Sequence, residues 1–201
     1  MLSYTLSHSI HIASTDAAFT YANTPASIAI LNIDRRYSDF DIRHSFTAGV
    51  TYDLPSPESN KIAHAALGGS SVDSFIFARM APPVDIIGEL SFAGGTKFQA
   101  RPDVVPGVPL VLYGPQYPGG KIFKKAAFVA PPPGTQGNFG RNVLRGFGAT
   151  QVDPALQRQF RLTERVGLTF RSEFFNIFNH PNFGSPNNSL TSPLFGQSTQ
   201  M

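Results

Sequence analysis

The chain has 201 residues, of which 14% are charged, whereas an ordinary soluble domain carries about 25%. With 41% apolar residues, 18 Phe and no Cys, it is not a disordered chain, a disulfide framework, a thiolate enzyme or a Cys-ligated metal protein. The net charge of +3 is scattered, with Arg35-Arg36 and Lys124-Lys125 as the adjacent basic pairs, so no nucleic-acid-binding stripe exists.

The opening residues carry no basic cluster followed by a continuous apolar run, so they do not read as a secretory signal. They alternate instead: Leu2, Tyr4, Leu6 and Ile10 stand against Ser3, Thr5, Ser7 and Ser9, the period-2 mark of a strand with two unlike faces. Residues 12–40 are long and irregular. The clearest strand follows at 42–54, where Ile42, His44, Phe46, Ala48, Val50, Tyr52 and Leu54 alternate with Arg43, Ser45, Thr47, Gly49, Thr51 and Asp53. Residues 55–69 read as a turn of medium length. In 72–80, Val72, Ile76, Ala78 and Met80 oppose Asp73 and Arg79, with Phe75 and Phe77 on the polar side.

Residues 81–149 form a second long excursion rich in Pro and Gly. Residues 84–92 look strand-like, but as a spanning strand they would put the tight hairpin Thr163-Glu164-Arg165 outside the cell, so they belong to the excursion. Residues 150–162 set Val152, Leu156, Phe160 and Leu162 against Gln151, Asp153, Gln157, Gln159 and Arg161, with Pro154 and Arg158 on the apolar side. After the hairpin, Val166, Leu168, Phe170 and Phe174 oppose Thr169, Arg171 and Glu173.

Segments of roughly nine to thirteen residues exceed the usual soluble strand of about five or six and match the ~9–11 residues of a tilted membrane-crossing strand. The expected fold is all-β: antiparallel up-and-down strands of a transmembrane β-barrel in the bacterial outer membrane, with lipid as a partner. It has about five spanning strands, short periplasmic turns, and long external loops at 12–40 and 81–149. The smallest single-chain barrels have about eight strands, and an open edge in lipid leaves backbone groups unpaired at several kcal/mol each. Residues 1–201 are therefore expected to form one partial barrel, without a plug domain, completed by strands from elsewhere.

An Arg on the lipid face costs about 2–4 kcal/mol near the midplane, so Arg43, Asp53, Arg171 and Glu173 are expected to face the lumen. Tyr4, Tyr52 and Phe174 are expected in the aromatic girdles, and His44 at the interface. His8 and His11 differ in parity and point to opposite faces of a strand, which argues against a shared metal ion. Asp39 and Asp41 read as a solvated loop-to-strand junction. Asp85 and Glu89 would stand ~13 Å apart on a strand, too far for paired-carboxylate catalysis. The stretch from Gly114 to Lys121 lacks the Lys and hydroxyl placement of a phosphate loop, and Gly68-Gly69-Ser70-Ser71 lacks the final Gly of a nucleophile elbow. No catalytic residue, cofactor or metal is expected.

Two stretches carry a family resemblance. Asp39-Phe40-Asp41-Ile42-Arg43-His44-Ser45-Phe46, continuing to Tyr52-Asp53-Leu54-Pro55, resembles a signature of Oar-like TonB-dependent outer-membrane receptors. Gly137-Asn138-Phe139-Gly140-Arg141-Asn142-Val143-Leu144-Arg145-Gly146, then Gln157 to Arg165, and then Phe170-Arg171-Ser172-Glu173-Phe174-Phe175-Asn176-Ile177-Phe178-Asn179-His180-Pro181-Asn182-Phe183-Gly184 resemble the same family. Such receptors combine a carboxypeptidase-regulatory-like domain, a plug and a barrel of about 22 strands. The resemblance implies nutrient uptake across the outer membrane, with TonB acting only through a plug that this sequence does not contain. It also implies missing barrel segments as partners and a final strand beyond Met201. The competing reading is a secreted soluble β-sandwich that binds carbohydrate or a surface partner. In that case Phe46, Val50, Leu168 and Phe170 would converge in a closed core.

Overall fold

The computed structural model describes residues 1–12, 35–56, 59, 61–91, 97–133 and 135–201. The chain divides into two compact units: Met1–Thr5, His44–Arg79 and Ala149–His180 form the first, and Leu6–Arg43, Met80–Gly148 and Pro181–Met201 the second.

A five-stranded sheet dominates the first unit. Its strands, β1 (Leu2–Leu6), β2 (His44–Asp53), β3 (Ser70–Arg79), β4 (Ala149–Arg161) and β5 (Gly167–Glu173), lie side by side in chain order. β2–β3, β3–β4 and β4–β5 pair antiparallel. β1 runs antiparallel to β2, since Gly49 N–H donates to Met1 O (2.9 Å) and Ser7 N–H to Arg43 O (3.1 Å). The five alternating segments of the sequence thus form an up-and-down meander with the expected neighbours. The sheet is open: β1 and β5 are its two edges among the described residues.

Pro154 sits inside the longest strand, where a missing N–H would ordinarily break a ladder. Its carbonyl accepts from Phe174 N–H (2.9 Å), so its ring nitrogen faces β5 and not β3. The donor is lost one residue beyond the last registered pair, Ala155 with Glu173, and the β3–β4 ladder runs past it intact.

The connections depart from the sequence reading in informative ways. β1 stops at Leu6 and does not continue to Ile10, because the His8 ring and the Ser9 amide turn to the Asp41 carboxylate. The medium-length turn holds a short helix, α1 (Lys61–Leu67), next to which Ser56 Oγ and His64 Nδ1 meet at 2.7 Å. The excursion from 81 to 149 is not irregular loop. In the second unit Pro83–Val84 pairs with Leu144–Arg145, Asp103–Val104 with Phe128–Val129, and Val111–Tyr113 with Lys121–Phe123. The strand-like 84–92 resolves into Pro83–Val84 and Gly88–Ser91, the latter paired with Lys97–Ala100, and lies outside the large sheet. Of 12–40, residues 13–34 lie outside the described ones, while Arg36–Tyr37 pairs with Ile10–His11.

The second unit has its own core of Val84, Ile86, Phe123, Ala127, Phe128, Phe139, Leu144 and Phe195. Phe128 meets Phe139 and Phe195 edge-on, at 5.1 and 5.8 Å between ring centroids, the preferred aromatic geometry. Gly196 closes this core. Its φ of +78° and the 2.4 Å approach that a Cβ would make to Phe123 O leave room for glycine alone.

Candidate functional site

The registers sort the sheet's side chains into rows. On one face lie Phe46, Ala78 and Thr150, then Ala48, Ile76 and Val152, then Tyr52, Val72, Leu156 and Ser172, with Leu168 beside Phe160 toward the hairpin. This apolar face is open: Val50, Leu168 and Phe170 are 52%, 54% and 63% exposed. A soluble sandwich would bury them, at about 1.5–3 kcal/mol for each large side chain removed from water. The four residues whose convergence would have marked a soluble core do not form one, and the buried core cluster among the described residues contains none of them.

The opposite face is polar and cross-linked. Asp53, Ser71, Gln157 and Arg171 share one row, and Thr51, Asp73, Ala155 and Glu173 the next. Arg171 ties the rows together. Its Nη1 donates to Asp73 Oδ2 (2.6 Å) and Gln157 Oε1 (3.2 Å), and its Nε to Glu173 Oε1 (2.7 Å). Thr51 adds a hydrogen bond to the Asp73 carboxylate, so the chain of contacts runs from β2 to β5.

Of the residues expected to act together, Asp53, Arg171 and Glu173 therefore fall on one face. Arg43 does not join them. It lies one residue before β2, with its guanidinium 6.0 Å from the Tyr37 ring centroid, because a cation-binding aromatic face is available there. Asp73, Gln157 and Thr51 were visible as polar members of alternating segments, but only the strand register shows that they meet Arg171. Tyr4 and His44 lie on the apolar face, with Tyr4 Oη 2.6 Å from His44 Nδ1.

The second unit joins the two stretches that carried the family resemblance. Asp41 is fully buried, which corrects its reading as a solvated junction. Its carboxylate takes the Arg145 guanidinium at 2.5 Å, the Ser9 amide at 2.8 Å and the His8 ring at 3.1 Å. Burial disfavours its charge, but the Arg145, Ser9 and His8 hydrogen bonds outweigh it and hold the carboxyl down to about 2. Arg145 also donates to Asp41 O and stands 4.8 Å from the Tyr37 centroid. Asn142 Nδ2 reaches Tyr37 O and Asp39 Oδ1, and Arg141 Nη2 lies 3.1 Å from His11 Nδ1 and 3.6 Å from Asp39 Oδ1.

Asp85 behaves in the opposite way. Burial pushes its carboxyl up to about 7, against the Asn142 and Ile86 amides and the Arg141 charge, which favour ionisation. Asp39, Asp85, Asn142 and Asn188 line a cavity of about 270 Å³ in this unit. Lys121 is half-buried, donates to Arg145 O (2.9 Å) and Gly146 O (2.5 Å), and has its pKa lowered by burial.

A long antiparallel meander with grease on its open face and a charged network on the other is a wall of a membrane β-barrel, since only barrel strands satisfy their backbone groups in lipid. The chain belongs to the outer membrane beta barrel domain family, whose model matches residues 1–201. It is thus a protein of the bacterial outer membrane, in contact with membrane lipid. No curated protein and no solved structure matches it.

Proposed function

We propose that the chain is a sector of an Oar-like TonB-dependent receptor that takes up a nutrient across the outer membrane. In this reading the polar rows of Asp53, Asp73, Arg171 and Glu173 face the lumen, and the strands that close the barrel pair with β1 and β5. The excursion at 81–149 serves as an external, substrate-capturing loop. A plug engaging TonB acts from beyond these 201 residues, and no catalysis is assigned to the chain.

The observation that carries the proposal is the polar network across β2 to β5, with Asp73, Arg171 and Glu173 as its charges. A polar network over four strands, with an arginine held between two carboxylates, suits a wide, water-filled interior, whereas the small barrels are filled by packed side chains. The resemblance in 39–55 and 137–184 supplies the receptor class. Outer membranes from the producing cell, separated on a denaturing gel and probed with antibody against residues 97–133, test it. The expected band is of transporter size and yields plug peptides by mass spectrometry. A band the size of these 201 residues, with no plug-bearing protein co-purifying, overturns it.

A further inference from the structure

The cavity beside Asp39 and Asp85 is built by stretches of the second unit that lie far apart in sequence. Pro83–Val84 pairs with Leu144–Arg145. Ile87 N–H donates to Asn188 O (2.9 Å), and Leu190 N–H returns to Ile87 O (2.9 Å). Asn142 is fixed at φ of +55°, a left-handed conformation that Asn tolerates. All of these residues belong to the second unit, so the site is complete within it.

The polar lining consists of Asp39, Asp85, Asn142, Ser185 and Asn188, with no Lys, Arg or His among the described residues. The amide nitrogens of both asparagines are already engaged. Asn142 Nδ2 donates to Tyr37 O (2.8 Å) and Asp39 Oδ1 (2.5 Å), and Asn188 Nδ2 to Asp85 O (2.7 Å). Their side-chain oxygens are left over, beside two carboxylates, so the walls accept hydrogen bonds far better than they donate them.

Charge and size narrow the ligand. Asp39 is matched by Arg141 Nη2 at 3.6 Å. Asp85 has no such contact: its Oδ1 is shielded from solvent and makes no hydrogen bond among the described residues, and Arg141 acts on it only at a distance. One buried carboxylate thus lacks a counter-charge, which calls for a single positive charge. The volume of about 270 Å³ is many times the ~30 Å³ share of one water, and Pro83, Ile87 and Pro186 supply an apolar wall. A calcium ion would instead draw about six to eight oxygens to within ~2.3–2.6 Å of itself. A monocation with N–H donors and a hydrocarbon body fits both the charge and the space.

We propose that this cavity binds a small organic ammonium ion, whose N–H groups donate to the Asp85 carboxylate and to the side-chain oxygens of Asn142 and Asn188.

Hydrogen exchange of the full protein, purified in detergent from outer membranes, tests the proposal with n-butylammonium chloride as the probe. Equal concentrations of n-butanol, sodium chloride and calcium chloride are the controls. The expected result is a several-fold slowing of exchange at 83–88 and 185–190 with n-butylammonium and none with the controls. Asp85→Asn is expected to abolish the slowing while residues 121–129 keep at least their native protection. If that variant loses the protection at 121–129, the native protein's choice between n-butylammonium and n-butanol decides alone. Equal slowing by n-butanol, slowing by calcium, no slowing at all, or a full response in folded Asp85→Asn overturns the assignment.

Discussion

The two units of this chain dispose of the same kind of side chain in opposite ways. In the sheet, Val50, Leu168 and Phe170 stand open on one face while the charges of the other are cross-linked. In the second unit, Phe123, Phe128, Phe139 and Phe195 turn inward, and the buried Asp41 is matched by Arg145. The difference lies in the surrounding medium. A sheet set in hydrocarbon gains nothing by hiding its aromatics and must satisfy its backbone, whereas a unit with a closed core draws its stability from burying them, and a charge buried there is stable only when paired.

The largest expected effect is in that core. Phe123→Ala costs the second unit about 3–5 kcal/mol, read as lost hydrogen-exchange protection across residues 121–129 in the full protein. Phe170→Ala leaves those amides protected, and equal loss in both variants would break the contrast. Next, Arg145→Met strands the buried Asp41 carboxylate and costs about 3 kcal/mol, the low end for such a pair because Arg145 is partly exposed. Adding Asp41→Asn restores most of that protection.

The sheet is sensitive to a different substitution. Val50→Arg places a charge on the lipid face and costs about 2–4 kcal/mol toward the midplane. Thr51→Arg, one residue on and beside Asp73, changes stability by less than about 0.5 kcal/mol. The fraction of protein resistant to urea extraction from membranes checks both, and equal losses would mean that neither face meets lipid.

Acidity separates two carboxyls within the second unit. Asp41, lowered from 3.8 to about 2, stabilises the unit above its unfolded value, and that contribution is lost as pH falls through 3.8 toward 2. Asp85, raised from 3.8 to about 7, contributes fully only below 3.8, and its contribution is lost as pH rises toward 7. Exchange protection in the second unit should therefore peak near pH 4 and decline by on the order of a few kcal/mol toward neutrality. Asp85→Asn flattens the alkaline side of that profile and leaves the acid side in place.

How much was legible follows from the same physics. Period-2 alternation is local, so the five strands, the hairpin and the shared face of Asp53, Arg171 and Glu173 could all be read along the chain. Arg171's partners could not, because Asp73 comes from a strand 98 residues away in sequence. The second unit was opaque for a related reason: its strands are two to four residues long, too short for any period. Asp41 looked solvated because Arg145, 104 residues on, is what makes its burial tolerable.

Arg158 marks the finest point of the comparison, an arginine on the lipid-facing side of β4. It pairs with Phe170 across one edge and Ser70 across the other, three residues from the end of the strand at Arg161. There a long side chain can carry its charge to the interface, where an arginine costs only about 0–1 kcal/mol. Its guanidinium lies 4.6 Å from the Phe160 ring centroid, a contact of about 0.5–1 kcal/mol at exposed sites, so the two terms nearly cancel. Arg158→Leu is expected to shift the urea-resistant fraction by less than about 1 kcal/mol in either direction. Moving the arginine to Leu156, on the same face one residue from the centre of the 149–161 strand, in an Arg158→Leu background restores the full midplane penalty of about 2–4 kcal/mol. If that relocation were as mild as the deletion, depth would not govern the cost and the apolar face could not be the one in the bilayer.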